Sequence, residues 1–162
     1  MVRKVRLRRG PVGPHRRPSG QGVRPIALLL DTGPIYAAAN GRDRDHARCA
    51  DLIRSAAPPL VVPALVVAEV SYLVGTYLGP DADAEFFRML TSSRFRVEPV
   101  TRDDARRVAE LVGQYADLPL GGIDASVVAV AERLGLDTVA TLDRRDFTVV
   151  RPAHVDAFTL VP

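Results

Sequence analysis

The sequence predicts an α/β fold: a three-layer α/β/α sandwich built on a mostly parallel central sheet. Three observations carry that expectation. First, the short runs Ile26–Leu30 and Leu60–Val62 are apolar at every position, as buried parallel strands are, rather than alternating as half-exposed strands do. Second, these runs alternate with stretches that carry helix start and stop signals, the pattern of strand–helix–strand units. Third, 162 residues, 47% of them hydrophobic, suffice for one domain with a core that needs no staple.

Taken in order, the first 24 residues hold eight basic side chains and no acid, among prolines and glycines and without apolar periodicity. They are expected to form a disordered extension (1–24) ahead of a folded domain at 25–162. Two readings of that extension stand: a translation start placed too early, with the working protein beginning near Val23 or Arg24, and a basic arm that adds phosphate affinity. An export signal is rejected, because the apolar run behind the paired arginines is short and stops at Asp31.

Ile26–Leu30 is the first strand, bounded by Pro25 and by Gly33-Pro34, and Ile35–Ala39 a short helix. Asp45–Ala57 is a second helix, ended by Pro58-Pro59. Leu60–Val62 is a strand, and Pro63 opens a helix to about Leu78, since proline is tolerated in a first turn. After Gly79-Pro80 come a helix over Asp81–Leu90 and a strand over Phe95–Val100. Thr101-Arg102-Asp103-Asp104 starts a helix to about Tyr115, with acids in its first turn. Gly121-Gly122-Ile123-Asp124 opens a helix closed by Gly135, and Asp137–Thr141 is a fourth strand. Val149-Val150 and Phe158–Val161 read as edge strands.

Composition excludes several chemistries. Lys4 is the sole lysine, so the folded part offers neither a P-loop lysine nor a Schiff-base lysine. Cys49 is alone, which rules out an internal disulfide and a cysteine-rich zinc site and fits a reducing cytoplasm. No run approaches the ~20 apolar residues of a membrane span. The formal charge is +3, but residues 25–162 carry fourteen basic against nineteen acidic groups, a net of −5. A body of that sign needs a cation between its acids and any nucleic acid.

The acids themselves carry the chemistry. Asp31 stands at the carboxyl end of a strand, where ligands bind in open α/β sheets, and is either a helix cap or part of a site. Glu69 has Leu65, Val66, Tyr72 and Leu73 one turn away, and no arginine or lysine lies between Arg54 and Arg88. A charge in such surroundings needs either a distant arginine or a role in a site. Asp124, at a helix start, is an N-cap or a site acid. Asp143 follows the fourth strand, Asp146 suits a turn, and Asp117 reads as solvated. If the strand ends are neighbours, three or four carboxylates converge and cannot all stay ionised without a counter-ion. Oxygen ligands alone select a hard cation, Mg²⁺ or Mn²⁺. His15, His46 and His154 match no zinc spacing.

This arrangement resembles the PIN-domain nucleases, in particular the VapC-like ribonuclease toxins of type II toxin–antitoxin pairs. The resemblance rests on Leu28-Leu29-Leu30-Asp31-Thr32, on Val67-Ala68-Glu69-Val70, on Gly122-Ile123-Asp124-Ala125 and on Thr141-Leu142-Asp143-Arg144-Arg145-Asp146-Phe147, in that order over roughly residues 25–150. It implies a PIN-like sandwich and an Mg²⁺-dependent endoribonuclease that cuts structured RNA (tRNA or rRNA) and inhibits translation. Asp31 and Asp124 would be the principal metal ligands, with Glu69 and Asp143 completing the quartet. Asp146 would be an outer acid, and Thr32 and Thr141 would hydrogen-bond ligands or water. Arg144, Arg145, Arg42, Arg44 and Arg48 are candidates to hold RNA phosphates. A homodimer and a cognate antitoxin are also implied, with Val66–Leu78 and Phe86-Phe87 as candidate contact surface. The Arg-rich extension departs from the family pattern.

Rival functions fare worse. A phosphatase with Asp31 as nucleophile wants an acid where Gly33 stands and a lysine downstream, and no Gly-x-Gly-x-x-Gly marks a dinucleotide site. A non-catalytic PIN-fold module that binds RNA or a partner remains the alternative.

Overall fold

The computed structural model describes residues 27–118 and 120–162. The expectation for 1–24, and Ile26 of the first strand, lie outside them. The chain runs β1 (Leu28–Leu30), α1 (Thr32–Ala39), α2 (His46–Ser55), β2 (Leu60–Pro63), α3 (Ala64–Tyr77) and α4 (Pro80–Leu90). It continues with β3 (Phe95–Glu98), α5 (Arg102–Gln114), α6 (Gly122–Leu134), β4 (Thr138–Ala140), α7 (Arg144–Val149) and β5 (Thr159–Val161).

The five strands form one sheet in the order β3-β2-β1-β4-β5, and every pairing is parallel. The chain steps from β1 outward to β3, then returns to place β4 on the other side of β1. The strand order therefore reverses between β1 and β4, and ligands of open α/β sheets bind outside the carboxyl ends at such a point. Helix α1 packs on α2 and α3, and α3 on α4, while α5 packs on α6. Right-handed crossovers put these two groups on opposite faces. Leu28, Leu29 and Leu30 of the central strand are buried, together with Val61, Val62, Val66, Val70, Val74, Val127, Val128 and Val139.

Local chemistry explains the boundaries. Thr101 accepts from the Asp104 N–H while the Asp104 carboxylate accepts from the Thr101 N–H, a reciprocal cap that starts α5. Gly135 ends α6 at φ 66°, a left-handed conformation open to glycine at little cost. Three expectations are corrected. Pro63 ends β2 and precedes the first turn of α3 instead of lying in it. Val149-Val150 is not a strand: Val149 ends α7, and the Val150 N–H bonds back to Asp146 O at 3.1 Å. Phe147 and Val150, three apart, are both buried on the core, and that helical spacing overrides the β-preference of two valines. Asp124 is no N-cap, because Gly121 holds that position.

Candidate active site

The carboxyl ends of β1 and β4 deliver Asp31 and Thr141 side by side, with the Asp31 N–H still pairing to Ala140 O at 3.0 Å. Asp31 is only 5% exposed. One carboxylate oxygen accepts the Thr32 N–H at 2.7 Å and the other accepts the Thr141 hydroxyl at 2.8 Å. Asp31 caps α1, and its place at the strand-order reversal is compatible with a site role as well. The start of α1 lies close against the loop after β4, where a Cβ on Gly33 would stand 3.2 Å from Leu142 Cβ.

From Asp31 two hydroxyls extend the network. Thr141 also accepts the Asp143 N–H at 3.1 Å. Thr32 donates its hydroxyl to Glu69 at 2.5 Å, joining α1 to α3. Glu69 thus meets a threonine, and among the described residues it forms no ion pair with an arginine. Its surroundings also differ from the expectation. Leu65 and Tyr72, one turn either side, are exposed, so apolar neighbours on the helix do not amount to an apolar interior.

Asp124 lies in the first turn of α6 at the helix N-terminus, and a Cβ on Gly121 would come within 3.2 Å of its carboxylate. Asp146, in the first turn of α7, is 5% exposed, while the Asp143 side chain is 54% exposed. The resemblance gave Asp143 to the metal-binding quartet and made Asp146 an outer acid, and of the two Asp146 is the more deeply buried.

The electrostatics tie these acids into one group. Burial pushes the Asp31 carboxyl above its ordinary range, hydrogen bonds from Thr141 and Thr32 pull it part of the way back, and the charges of Glu69 and Asp143 add to the rise. Asp124 is pushed up to about 6 by burial and then by the charges of Asp31, Asp146 and Glu69, against the Gly121 N–H, which favours the charged form.

Among the described residues, no three Asp, Glu, His or Cys side chains are drawn together at ion-binding distance. The donor chemistry nevertheless fits a hard divalent cation. Every candidate ligand is oxygen, two carboxyls carry raised proton affinities, and the buried Asp146 Oδ1 accepts no hydrogen bond, with only Arg145 Nε at 3.6 Å nearby. His46 and His154 bond the backbone carbonyls of Ala37 and Leu136, away from these acids.

The five arginine candidates separate. Arg44 and Arg48 pair with Asp45 at 3.4 and 2.9 Å. Arg144 is occupied by Leu160 O and Pro162 O at 3.3 and 2.6 Å. Arg145 sits 3.9 Å from Asp143 and 3.6 Å from Asp146. Arg42 is exposed and forms no ion pair among the described residues. Val66, Val70 and Val74 of the Val66–Leu78 stretch are core residues, as is Phe86, whereas Phe87 is exposed.

The chain matches the PIN domain family model over residues 28–151. It is 35% identical over 135 residues to the ribonuclease VapC26 of Mycobacterium tuberculosis, spanning 83% of this chain and 100% of that protein. The crystal structure of VapC20 of Mycobacterium tuberculosis, described as a sarcin–ricin-loop-cleaving toxin, has a TM-score of 0.72 at 24% identity, covering 80% of this chain and 99% of that one. DNA-bound VapBC of Salmonella typhimurium has a TM-score of 0.60 at 18% identity, covering 84% and 97%.

Proposed function

The chain belongs to the PIN-domain family, and from that premise we propose that it is a divalent-metal-dependent endoribonuclease, the toxin of a type II toxin–antitoxin pair. The observation that carries this reading is the hydrogen-bonded chain at the β1/β4 reversal, in which Thr32 joins Asp31 to Glu69 and Thr141 joins Asp31 to the Asp143 backbone. The identity to VapC26 over that protein's full length supports the choice of RNA as substrate. Structured RNA such as tRNA or rRNA, whose cleavage blocks translation, is the proposed target. The reading places the protein in the cytoplasm, as a homodimer with a cognate antitoxin.

Asp31 and Asp124, the two acids with raised proton affinity, would hold Mg²⁺ or Mn²⁺, with Asp146, Asp143 and Glu69 around them. When bound, the ion supplies a more acidic water and offsets charge on the phosphate oxygens. Thr141 and Thr32 fix the Asp31 carboxylate by both oxygens, so its position is set before RNA arrives. Glu69 has one oxygen held by Thr32 and offers the other to accept a proton from attacking water. Attack in line at phosphorus breaks the bond to the 3′ oxygen, leaving a 5′-phosphate and a 3′-hydroxyl. For the antitoxin, the apolar groove of about 600 Å³ lined by Ile35, Ala38, Ile53, Phe86 and Met89 offers a complementary face to an apolar segment.

The test is cleavage of total RNA by the full-length protein with added Mg²⁺ or Mn²⁺, beside Asp31→Asn and Asp124→Asn. Wild-type cleavage that EDTA and each substitution reduce to background supports the reading. RNA binding without cleavage in every preparation would instead make this a non-catalytic binding module.

A further inference from the structure

Resting on the ribonuclease reading, we propose that Tyr36, Asn40, Arg42 and Tyr77 form a subsite for one unpaired nucleotide of the RNA, further along the strand from the scissile phosphate. These residues, with Ala39, Gly41 and Leu78, line a concavity of about 620 Å³. It is built by the same two helices that assemble the catalytic end. Helix α1 and helix α3 meet at the Thr32–Glu69 hydrogen bond. Asn40 lies two turns beyond Thr32, and Tyr77 two turns beyond Glu69, about 12 Å in each case. Because both pairs meet across the same seam, α1 and α3 run side by side from the acids to the concavity, and a single strand can follow them.

The lining has the chemistry of base recognition. Tyr77 offers an exposed ring, with the half-buried Tyr36 lining the concavity beside it, and an aromatic face stacks any base. Tyr77 is 67% exposed, at the end of a helix whose other face is core. The Asn40 side-chain oxygen accepts the Arg42 N–H at 3.1 Å, which leaves the amide nitrogen as the donor toward a base edge. Arg42 alone of the five arginine candidates has a guanidinium with no partner among the described residues, and a phosphate contact suits it. On a body of net negative charge, such a cation beside aromatic rings marks where a polyanion can lie.

The test measures binding apart from cleavage. A fluorescein-labelled, unstructured RNA oligonucleotide is titrated with the full chain in Ca²⁺ in place of Mg²⁺, so that a cation is present without turnover, followed by anisotropy at several salt concentrations. Tyr77→Ala is expected to weaken binding about tenfold or more, with Tyr77→Phe close to wild type. Arg42→Ala is expected to weaken binding and lower the salt slope by about 0.7. In the cleavage assay, Tyr77→Ala then raises KM and leaves kcat unchanged. Wild-type affinity in Tyr77→Ala and Arg42→Ala overturns the subsite, as does a Tyr77→Ala that loses only self-association in size-exclusion chromatography. If the binding losses appear while no preparation cleaves RNA, the subsite stands and the nuclease reading falls.

Discussion

Thr141 uses one hydroxyl twice, donating to Asp31 and accepting the Asp143 N–H. Its donated bond favours the charged form of Asp31 and opposes the effect of burial. Thr141→Val removes it without adding volume, so the Asp31 proton affinity rises further. The acid limb of the cleavage rate profile is expected to move to higher pH, with kcat down roughly tenfold. Pre-steady-state rates across pH check this. Asp124 makes a separate prediction about the fold. Its carboxyl ionises at about 6 in the folded protein against an ordinary 3.8, so the native state binds the proton more tightly between those values. Stability contributed by this group is therefore lost as pH rises through that window. Asp124→Asn is expected to stabilise the metal-free protein near neutrality by on the order of 1 kcal/mol, after discounting for its partial exposure, and to leave it unchanged at about pH 4. Thermal melts in EDTA at the two pH values decide; an equal effect at both would show the acids are not coupled. The acids were legible because a carboxylate after an apolar strand is conspicuous. Their hydroxyl partners were legible only as a type of role, because Thr141 and Asp31 are 110 positions apart.

At the scale of elements, α6 presents Asp124 from one end and is locked at the other. Near its C-terminus Arg133 contacts Asp104 of α5 at 3.0 Å and Glu98 of β3 at 3.1 Å, both acids buried. Burial alone would raise the Asp104 pKa, but the Thr101 N–H and the Arg133 guanidinium outweigh it and hold it below the ordinary range. Arg133→Ala leaves Asp104 without its guanidinium and is expected to cost about 3 kcal/mol, read from urea unfolding. The loss in cleavage should be small where the fold persists, because Arg133 is at the far end of the helix from Asp124. The start of α5 was legible from Thr101 and its acids, and the end of α6 from Gly135, because capping is local chemistry. Helix α7 was not. Six residues hold too little periodicity, and what makes them helical is the burial of Phe147 and Val150 in the core, Phe147 against the distant Phe158. Missing α7 also hid the depth of Asp146.

For the whole molecule, the reversal of strand order at β1 and β4 sets Asp31 and Asp124 within the fields of acids from distant segments of the chain. On the proposed metal-dependent reading, a bound divalent ion would offset the repulsion that Glu69 and Asp143 exert on Asp31. Mg²⁺ or Mn²⁺ is expected to raise the melting temperature near neutrality, more at higher ion concentration. The rise should disappear in Asp31→Asn and shrink as the solution is acidified, both followed by differential scanning calorimetry. The parallel sheet was legible from uniformly apolar runs, since only strands covered on both faces dispense with polar residues. The neighbour of each strand was not, because pairing is decided by crossovers and packing across the whole chain.

The anchoring of Arg144 to the carbonyls of Leu160 and Pro162 has a practical corollary. That arginine opens the same short helix that carries Asp146, directly after its cap Asp143. A purification handle fused directly after Pro162 would compete for this clasp and pull on the turn bearing two acids. A handle at the opposite terminus would leave the clasp intact, so matched preparations differing only in tag placement should differ in specific activity.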